Sequence, residues 1–79
     1  MITLYTKTGC PYCDKVKDRI AELALPYSEK NISDEKNLSE LLEKGGKRQV
    51  PFMIDDERGT SMYESGDIIY YLENLPRSS

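Results

Sequence analysis

Two cysteines three positions apart, Cys10 and Cys13 of the segment Cys10-Pro11-Tyr12-Cys13, are the residues of this 79-residue chain whose type and spacing can do chemistry. On a helix, positions i and i+3 face the same way, and their Cα atoms lie near the roughly 5.5–6 Å that a disulfide favours. Such a pair opens and closes with little backbone movement, as a redox catalyst requires. A bond between them would close a loop too small to add much stability, so they are not a disulfide scaffold. Zinc is the other common use of Cys-x-x-Cys, but tetrahedral structural zinc takes four Cys or His ligands. The chain has no third cysteine and no histidine, so half of such a site is missing. An inert structural pair remains as the alternative. The context of a strand before the pair and a helix after it favours redox chemistry instead.

The flanking elements explain why the pair would react. Ile2 to Thr6 is a short, β-rich strand with Ile2 and Leu4 alternating with Thr3 and Tyr5. Lys7-Thr8-Gly9 then turns, and Pro11 sits where the first turn of a helix accepts proline. Cys13, Val16, Ile20, Leu23 and Ala24 recur at helical spacing, while Asp14, Lys15, Lys17, Asp18 and Arg19 fill the outer face, and Pro26 stops the helix. The Cys10 sulfur therefore lies at a helix N-terminus, where backbone N–H groups are unpaired and the dipole is positive, a setting that favours thiolate over thiol. Lys7 adds a positive charge from the same loop. Cys13 lies one turn further in, without those donors. Cys10 is the expected nucleophile and Cys13 the resolving thiol.

The remaining elements follow the same logic. Tyr27 to Ile32 is a second, weaker strand. Ser33-Asp34 offers an N-cap to a helix marked by Leu38, Leu41 and Leu42, and Gly45-Gly46 closes it. Phe52-Met53-Ile54, between Pro51 and Asp55-Asp56, suits a buried strand. Arg58-Gly59 turns into a fourth strand, Thr60 to Tyr63. Ile68, Tyr71, Leu72 and Leu75 then mark a last helix ended by Pro76, with a frayed Arg77-Ser78-Ser79 behind it. The order β-α-β-α-β-β-α predicts an α/β fold: a four-stranded mixed sheet with a parallel pair at the front, an antiparallel hairpin at the back and helices on its faces.

Length allows one domain, residues 1–79, and no second core. Eleven Lys plus Arg against 14 Asp plus Glu give a net charge of −3, which argues against a nucleic-acid binder. No apolar run is long enough to span a membrane. The first residues lack the basic region and apolar stretch of a signal peptide, so the reducing cytoplasm is the expected compartment.

At this point the chain resembles a glutaredoxin over nearly its whole length. Cys10-Pro11-Tyr12-Cys13 is identical to the active-site tetrapeptide of dithiol glutaredoxins. Gln49-Val50-Pro51 is similar to the family's Thr-Val-Pro, and Glu64-Ser65-Gly66-Asp67 stands where the family has an Asp-ending turn into the last helix. The resemblance implies a thioredoxin-like fold and glutathione-dependent reduction of protein disulfides and glutathione mixed disulfides. Glutathione is then a reducing co-substrate, with no tightly bound cofactor and no metal. It implies a cis Pro51 that leaves the Val50 N–H and C=O free to pair with glutathione like an added strand; an ordinary strand start is the alternative. It implies that the Ser65, Gly66 and Asp67 N–H groups hold the γ-glutamyl carboxylate, that Asp67 accepts from its amino group, and that Lys7 and Gln49 hold the glycyl carboxylate. Simple capping by Ser65 and a solvated Lys7 are the plainer alternatives. Tyr12 flanks the cysteines along the tripeptide. Tyr5, Tyr27, Tyr63, Tyr70 and Tyr71 are assigned to core edges.

Three departures bear on the electron donor. Gln49 replaces the usual Thr, the segment after Pro51 is one residue short, and Arg48-Gln49-Val50-Pro51 is similar to glutaredoxin-like proteins reduced by thioredoxin reductase, whose partners include ribonucleotide reductase. Glu64-Ser65 is similar to the turn of glutathione-transferase N-terminal domains. A non-enzymatic transferase-like domain is disfavoured because no all-helical half follows. A [2Fe–2S] cluster bridged by two subunits is disfavoured by the proline after the first cysteine, and a monomer is expected.

Overall fold

Strand β1 (Ile2–Thr6) is the hub of the sheet: it pairs in parallel with β2 (Tyr27–Asn31) and antiparallel with β3 (Phe52–Asp55), and β3 pairs antiparallel with β4 (Thr60–Met62). The strand order is β2-β1-β3-β4 in this computed structural model, which describes residues 1–75. Three helices cover the sheet: α1 (Pro11–Glu22), α2 (Glu35–Gly45) and α3 (Ser65–Glu73). This is the mixed four-stranded architecture expected from the sequence. α3 ends at Glu73 with Asn74 as its C-cap, before Leu75 and the expected stop; Pro76 and the expected frayed Arg77-Ser78-Ser79 lie outside the described residues.

Strand alternation divides the core in two. Ile2, Leu4 and Met53 face one side and pack with Val16 and Ile20 of α1 and Ile68 and Leu72 of α3. Tyr5 and Phe52 face the other side and pack with Ile32 and Leu41. Two residues expected on apolar helix faces are not buried there. Leu42 is 44% exposed, because α2 turns only Leu38 and Leu41 toward the sheet. Ala24 is exposed because α1 ends earlier, at Glu22, and not at Pro26. Leu23 caps the helix, Ala24 takes a left-handed φ of 54°, and the N–H groups of Ala24 and Leu25 donate to the carbonyls of Ala21 and Ile20. That is a Schellman ending with alanine where glycine is usual.

Other boundaries shift by a residue. β2 stops at Asn31, although the Ile32 N–H still donates to the Thr6 carbonyl at 2.8 Å. β3 takes in Asp55 and β4 gives up Tyr63. Asp55 belongs to the buried end of β3 because its carboxylate is fully partnered: it accepts from the Tyr71 hydroxyl at 2.7 Å, the Glu57 N–H at 3.1 Å and Arg58 at 3.5 Å. Burial alone would push this carboxyl up; those three partners more than offset it and hold it below the ordinary carboxylate range.

An acid limb of stability follows. Asp55 and Glu29 are both held below their ordinary values in the folded chain, so the unfolded chain binds more protons at mildly acid pH. Stability is therefore expected to be at full value above about pH 5 and to fall as the pH is lowered through the carboxylate range. Urea midpoints measured from pH 7 to pH 3 check this, and a flat profile would contradict it.

Candidate active site

The two cysteines arrive where the spacing places them. Cys10 is the residue before α1, in extended conformation, with Pro11 in the first helical turn. Its sulfur accepts the Cys13 N–H at 3.3 Å, and its own N–H donates to the Lys7 carbonyl at 3.2 Å. Both thiols are free. Cys10 is half-buried, whereas Cys13 is fully buried. Burial, and then the hydrogen bond to Cys10, push the Cys13 thiol up to about 12, against smaller lowering effects from the Lys7 backbone N–H and the Lys17 charge. Cys13 thus rests as a protonated thiol beneath a more accessible sulfur, which is the asymmetry that distinguishes a resolving thiol from a nucleophile.

Two other segments lie at the same end of the sheet, where β1 and β4 end and β3 begins. Val50–Pro51 is a cis peptide, as expected. The β1–β3 ladder ends at Phe52 opposite Tyr5, so Val50 contributes neither of its backbone groups to that ladder. α3 begins at Ser65, making Glu64 its N-cap, without a side-chain cap bond. Ser65 is therefore the first helical residue and not the capping residue that its hydroxyl suggested. The Ser65, Gly66 and Asp67 N–H groups fall in the first turn, where a helix cannot pair them internally. Gln49 donates to Glu64 across 3.5 Å, tying the segment before Pro51 to the start of α3. Lys7 is exposed in the β1–α1 loop. Tyr12 is 58% exposed, with the Lys15 ammonium 5.5 Å from its ring centroid.

Clefts elsewhere do not carry this chemistry. One of about 490 Å³ runs along α3 past Arg58, Met62, Tyr70 and Leu75, and another of about 510 Å³ adjoins it at Arg58 and Leu75 and extends to Leu23 and Pro26. Neither includes a cysteine; Asp67 lines the first. Among the described residues no cluster of His, Cys, Asp or Glu could hold a metal ion, and no helix is long and apolar enough to cross a membrane.

Sequence reasoning missed the role of Tyr63. Its hydroxyl accepts the Lys47 N–H at 3.0 Å and donates to the Lys47 carbonyl at 3.1 Å, and its ring lies 4.5 Å from that of Phe52. Tyr63 therefore buckles down the loop that carries Gln49, Val50 and Pro51. The Gly45-Gly46 pair gives the only hint: a Cβ at Gly45 would collide with the Tyr63 hydroxyl and lie 3.1 Å from Phe52. Gly45→Ala is expected to destabilise the fold by about 1–3 kcal/mol, as overpacking does; a thermal melt measures it. Of the other tyrosines, Tyr5 is wholly buried in the core and Tyr70 is 70% exposed, so neither is a core-edge residue.

A free dithiol at a helix N-terminus and a cis-proline at the same end of a four-stranded β2-β1-β3-β4 sheet define a thioredoxin-like dithiol domain, and the chain is glutaredoxin-like. It belongs to the family described as glutathione S-transferase, N-terminal domain, which it matches over residues 4–79. The likeness first visible at Glu64-Ser65 thus extends along the chain. Among individual relatives, the chain is 35% identical over 59 residues to an N-acetyl-S-hydroxy-L-cysteine reductase of Bacillus subtilis, covering 73% of this chain but only 62% of the reductase. It is 28% identical to glutaredoxin 1 of Rickettsia conorii, covering 99% of this chain and 86% of that one. It is 26% identical to the glutaredoxin-like protein NrdH of Lactococcus lactis, covering 86% and 94%. The fold superimposes on the thioredoxin-like protein BC3987 with a TM-score of 0.80 at 22% identity, over 94% of this chain and all of that one. It also superimposes on a glutathione transferase homologue from Drosophila mojavensis with bound glutathione, at 0.74 and 30% identity, over 90% of this chain and 33% of the homologue.

Proposed function

We propose that this chain is a glutathione-dependent thiol–disulfide oxidoreductase that reduces protein disulfides and glutathione mixed disulfides. The observation that carries the reading is the asymmetry of the pair: an accessible Cys10 sulfur at the start of α1, above a buried Cys13 thiol that stays protonated. The Cys10 thiolate attacks one sulfur of the substrate disulfide. A new S–S bond forms to Cys10, the old one breaks, and the departing sulfur leaves with the electron pair and takes up a proton. Either the Cys13 thiolate then attacks the Cys10 sulfur and closes the internal disulfide, or glutathione attacks the Cys10–glutathione bond. Two glutathiones return the internal disulfide to the dithiol and leave as glutathione disulfide.

Glutathione binds extended along the cis-proline segment: the Val50 backbone next to Pro51 pairs with its cysteinyl unit, the first turn of α3 with Asp67 takes the γ-glutamyl end, and Lys7 and Gln49 take the glycyl carboxylate. Tyr12 packs along it. The bound glutathione in the Drosophila mojavensis homologue supports this choice of thiol. No resident metal or cofactor takes part. Disulfide-containing or glutathionylated proteins of the cytoplasm are the partners, with ribonucleotide reductase as a candidate, and the chain acts as a monomer.

A second reading rests on two observations, the likeness to NrdH and the segment Arg48-Gln49-Val50-Pro51, and takes thioredoxin reductase as the electron donor. A coupled assay on a small mixed disulfide separates the two by following NADPH. Turnover with glutathione and glutathione reductase supports the first reading. Turnover with thioredoxin reductase alone would replace it with the second.

A further inference from the structure

The proposed dithiol cycle raises a problem for Cys13: a thiol buried to this degree must still become a thiolate to close the disulfide. The nearest help lies on its own helix. Lys17 is one turn after Cys13, on the same side of α1. Its ammonium is 3.3 Å from a Glu29 oxygen on β2 and 3.6 Å from Asp14. The same Glu29 oxygen accepts the Thr6 hydroxyl at 2.7 Å, and Thr6 is buried at the end of β1, next to the loop that carries Cys10. Glu29 pairs with Leu4 in the β1–β2 register, so Leu4, Thr6 and Glu29 all face α1. Lys17 is thereby tied down by an anion that is itself anchored from the sheet, when a lysine at this position is otherwise free to swing into solvent.

We infer that Lys17, held by the Glu29–Thr6 pair, is a positioning residue for the resolving step, supplying the positive charge against which Cys13 becomes a nucleophile. This rests on the dithiol function proposed above. The groups bearing on Cys13 are the Cys10 sulfur and Lys17 from the active-site helix, the Lys7 backbone from the preceding loop, and the Asp14 and Glu29 carboxylates that surround the Lys17 ammonium. Of these, burial and Cys10 oppose ionisation, and Lys17 is the side chain that favours it. Glu29 is held below the ordinary carboxylate range, chiefly by the Thr6 hydroxyl, so it stays an anion and anchors Lys17; it does not act as the base. In the step itself the Cys13 proton passes to solvent, the Cys13 sulfur bonds to Cys10, the bond from Cys10 to the substrate sulfur breaks, and that sulfur departs and is protonated.

The test compares two rates, each with and without Lys17. A small aromatic disulfide forms a mixed disulfide with Cys10, and stopped-flow absorbance follows release of its second thiol by Cys13. No glutathione is needed, so failure of the glutathione assignment leaves the measurement intact. The second rate is attack by an external thiol on the mixed disulfide of a Cys13→Ser variant, which bypasses the resolving thiol. Removing the cation is expected to lower the Cys13 thiolate fraction, partly offset by greater intrinsic nucleophilicity, so Lys17→Met slows resolution about three- to fourfold. The bypass rate then falls far less, and Lys17→Arg restores resolution. In a Cys10→Ser background, Lys17→Met also moves Cys13 alkylation to higher pH. An unchanged ratio of the two rates, an equal fall in both, or an unmoved alkylation profile would each overturn the assignment.

Discussion

Replacing Cys10 by serine is expected to bring disulfide reduction to background with every electron donor, whereas replacing Cys13 divides the activity in two. A hydroxyl in place of the Cys10 thiol cannot form the mixed disulfide on which every route depends, and nothing at the start of α1 can substitute for it. Cys13 is different because it acts only after the first exchange. In Cys13→Ser, reduction of glutathione mixed disulfides is expected to continue at the wild-type order of magnitude, since under the proposed reading glutathione itself attacks the Cys10–glutathione bond. Reduction of protein disulfides should stop at a trapped complex with the substrate protein. Following NADPH with both substrate types, and looking for the trapped complex on a non-reducing gel, checks each half. If Cys10→Ser retained activity and Cys13→Ser did not, the assignment of nucleophile and resolving thiol would be reversed. The structure argues against that reversal: Cys13 has no accessible surface and burial pushes its thiol up to about 12.

Much of this site was legible before any coordinates because its chemistry is local. Strand, Cys-x-x-Cys and helix are contiguous, so spacing alone places two sulfurs at one helix end. Val16 and Ile20 lie on the buried face for the same reason, the period of the helix. The positions that failed depend on backbone bonding or on distant partners. Ala24 carries an apolar side chain at helical spacing, yet the helix ends before it through backbone bonds that leave no mark in a hydrophobic pattern. Asp55 reads as the polar end of a strand until Tyr71, sixteen residues away, gives its carboxylate a buried partner. Tyr63 reads as one tyrosine among six until the Lys47 backbone is folded against its hydroxyl. Lys17 reads as outer-face charge until Glu29 and Thr6 are brought beside it. Local periodicity finds nucleophiles and core faces; the residues that fix a loop or hold a charge are paired across the sheet, and one strand's pattern does not contain them.

The same distinction sets the terms for Asp67→Ala, the substitution on which the proposed glutathione site stands. Asp67 is exposed in the first turn of α3, beside N–H groups left open by the helix start and close to the Gln49–Glu64 bridge. Under the proposed reading its carboxylate accepts from the glutathione amino group, a hydrogen bond between charged partners worth about 1.5–3 kcal/mol. At an exposed position solvent screening leaves the lower part of that range, so KM for glutathione and its mixed disulfides is expected to rise roughly ten- to thirtyfold at an unchanged kcat. The change also removes a negative charge from a helix N-terminus, which costs about 0.3–1 kcal/mol of stability. A melt of the variant therefore accompanies the kinetics. Selectivity decides the matter: the first exchange with a small aromatic disulfide, which has no γ-glutamyl end, should be untouched. If KM for glutathione does not move while the cysteine variants behave as above, the dithiol chemistry stands, the first turn of α3 does not receive glutathione, and the likeness to NrdH becomes the better guide to the electron donor.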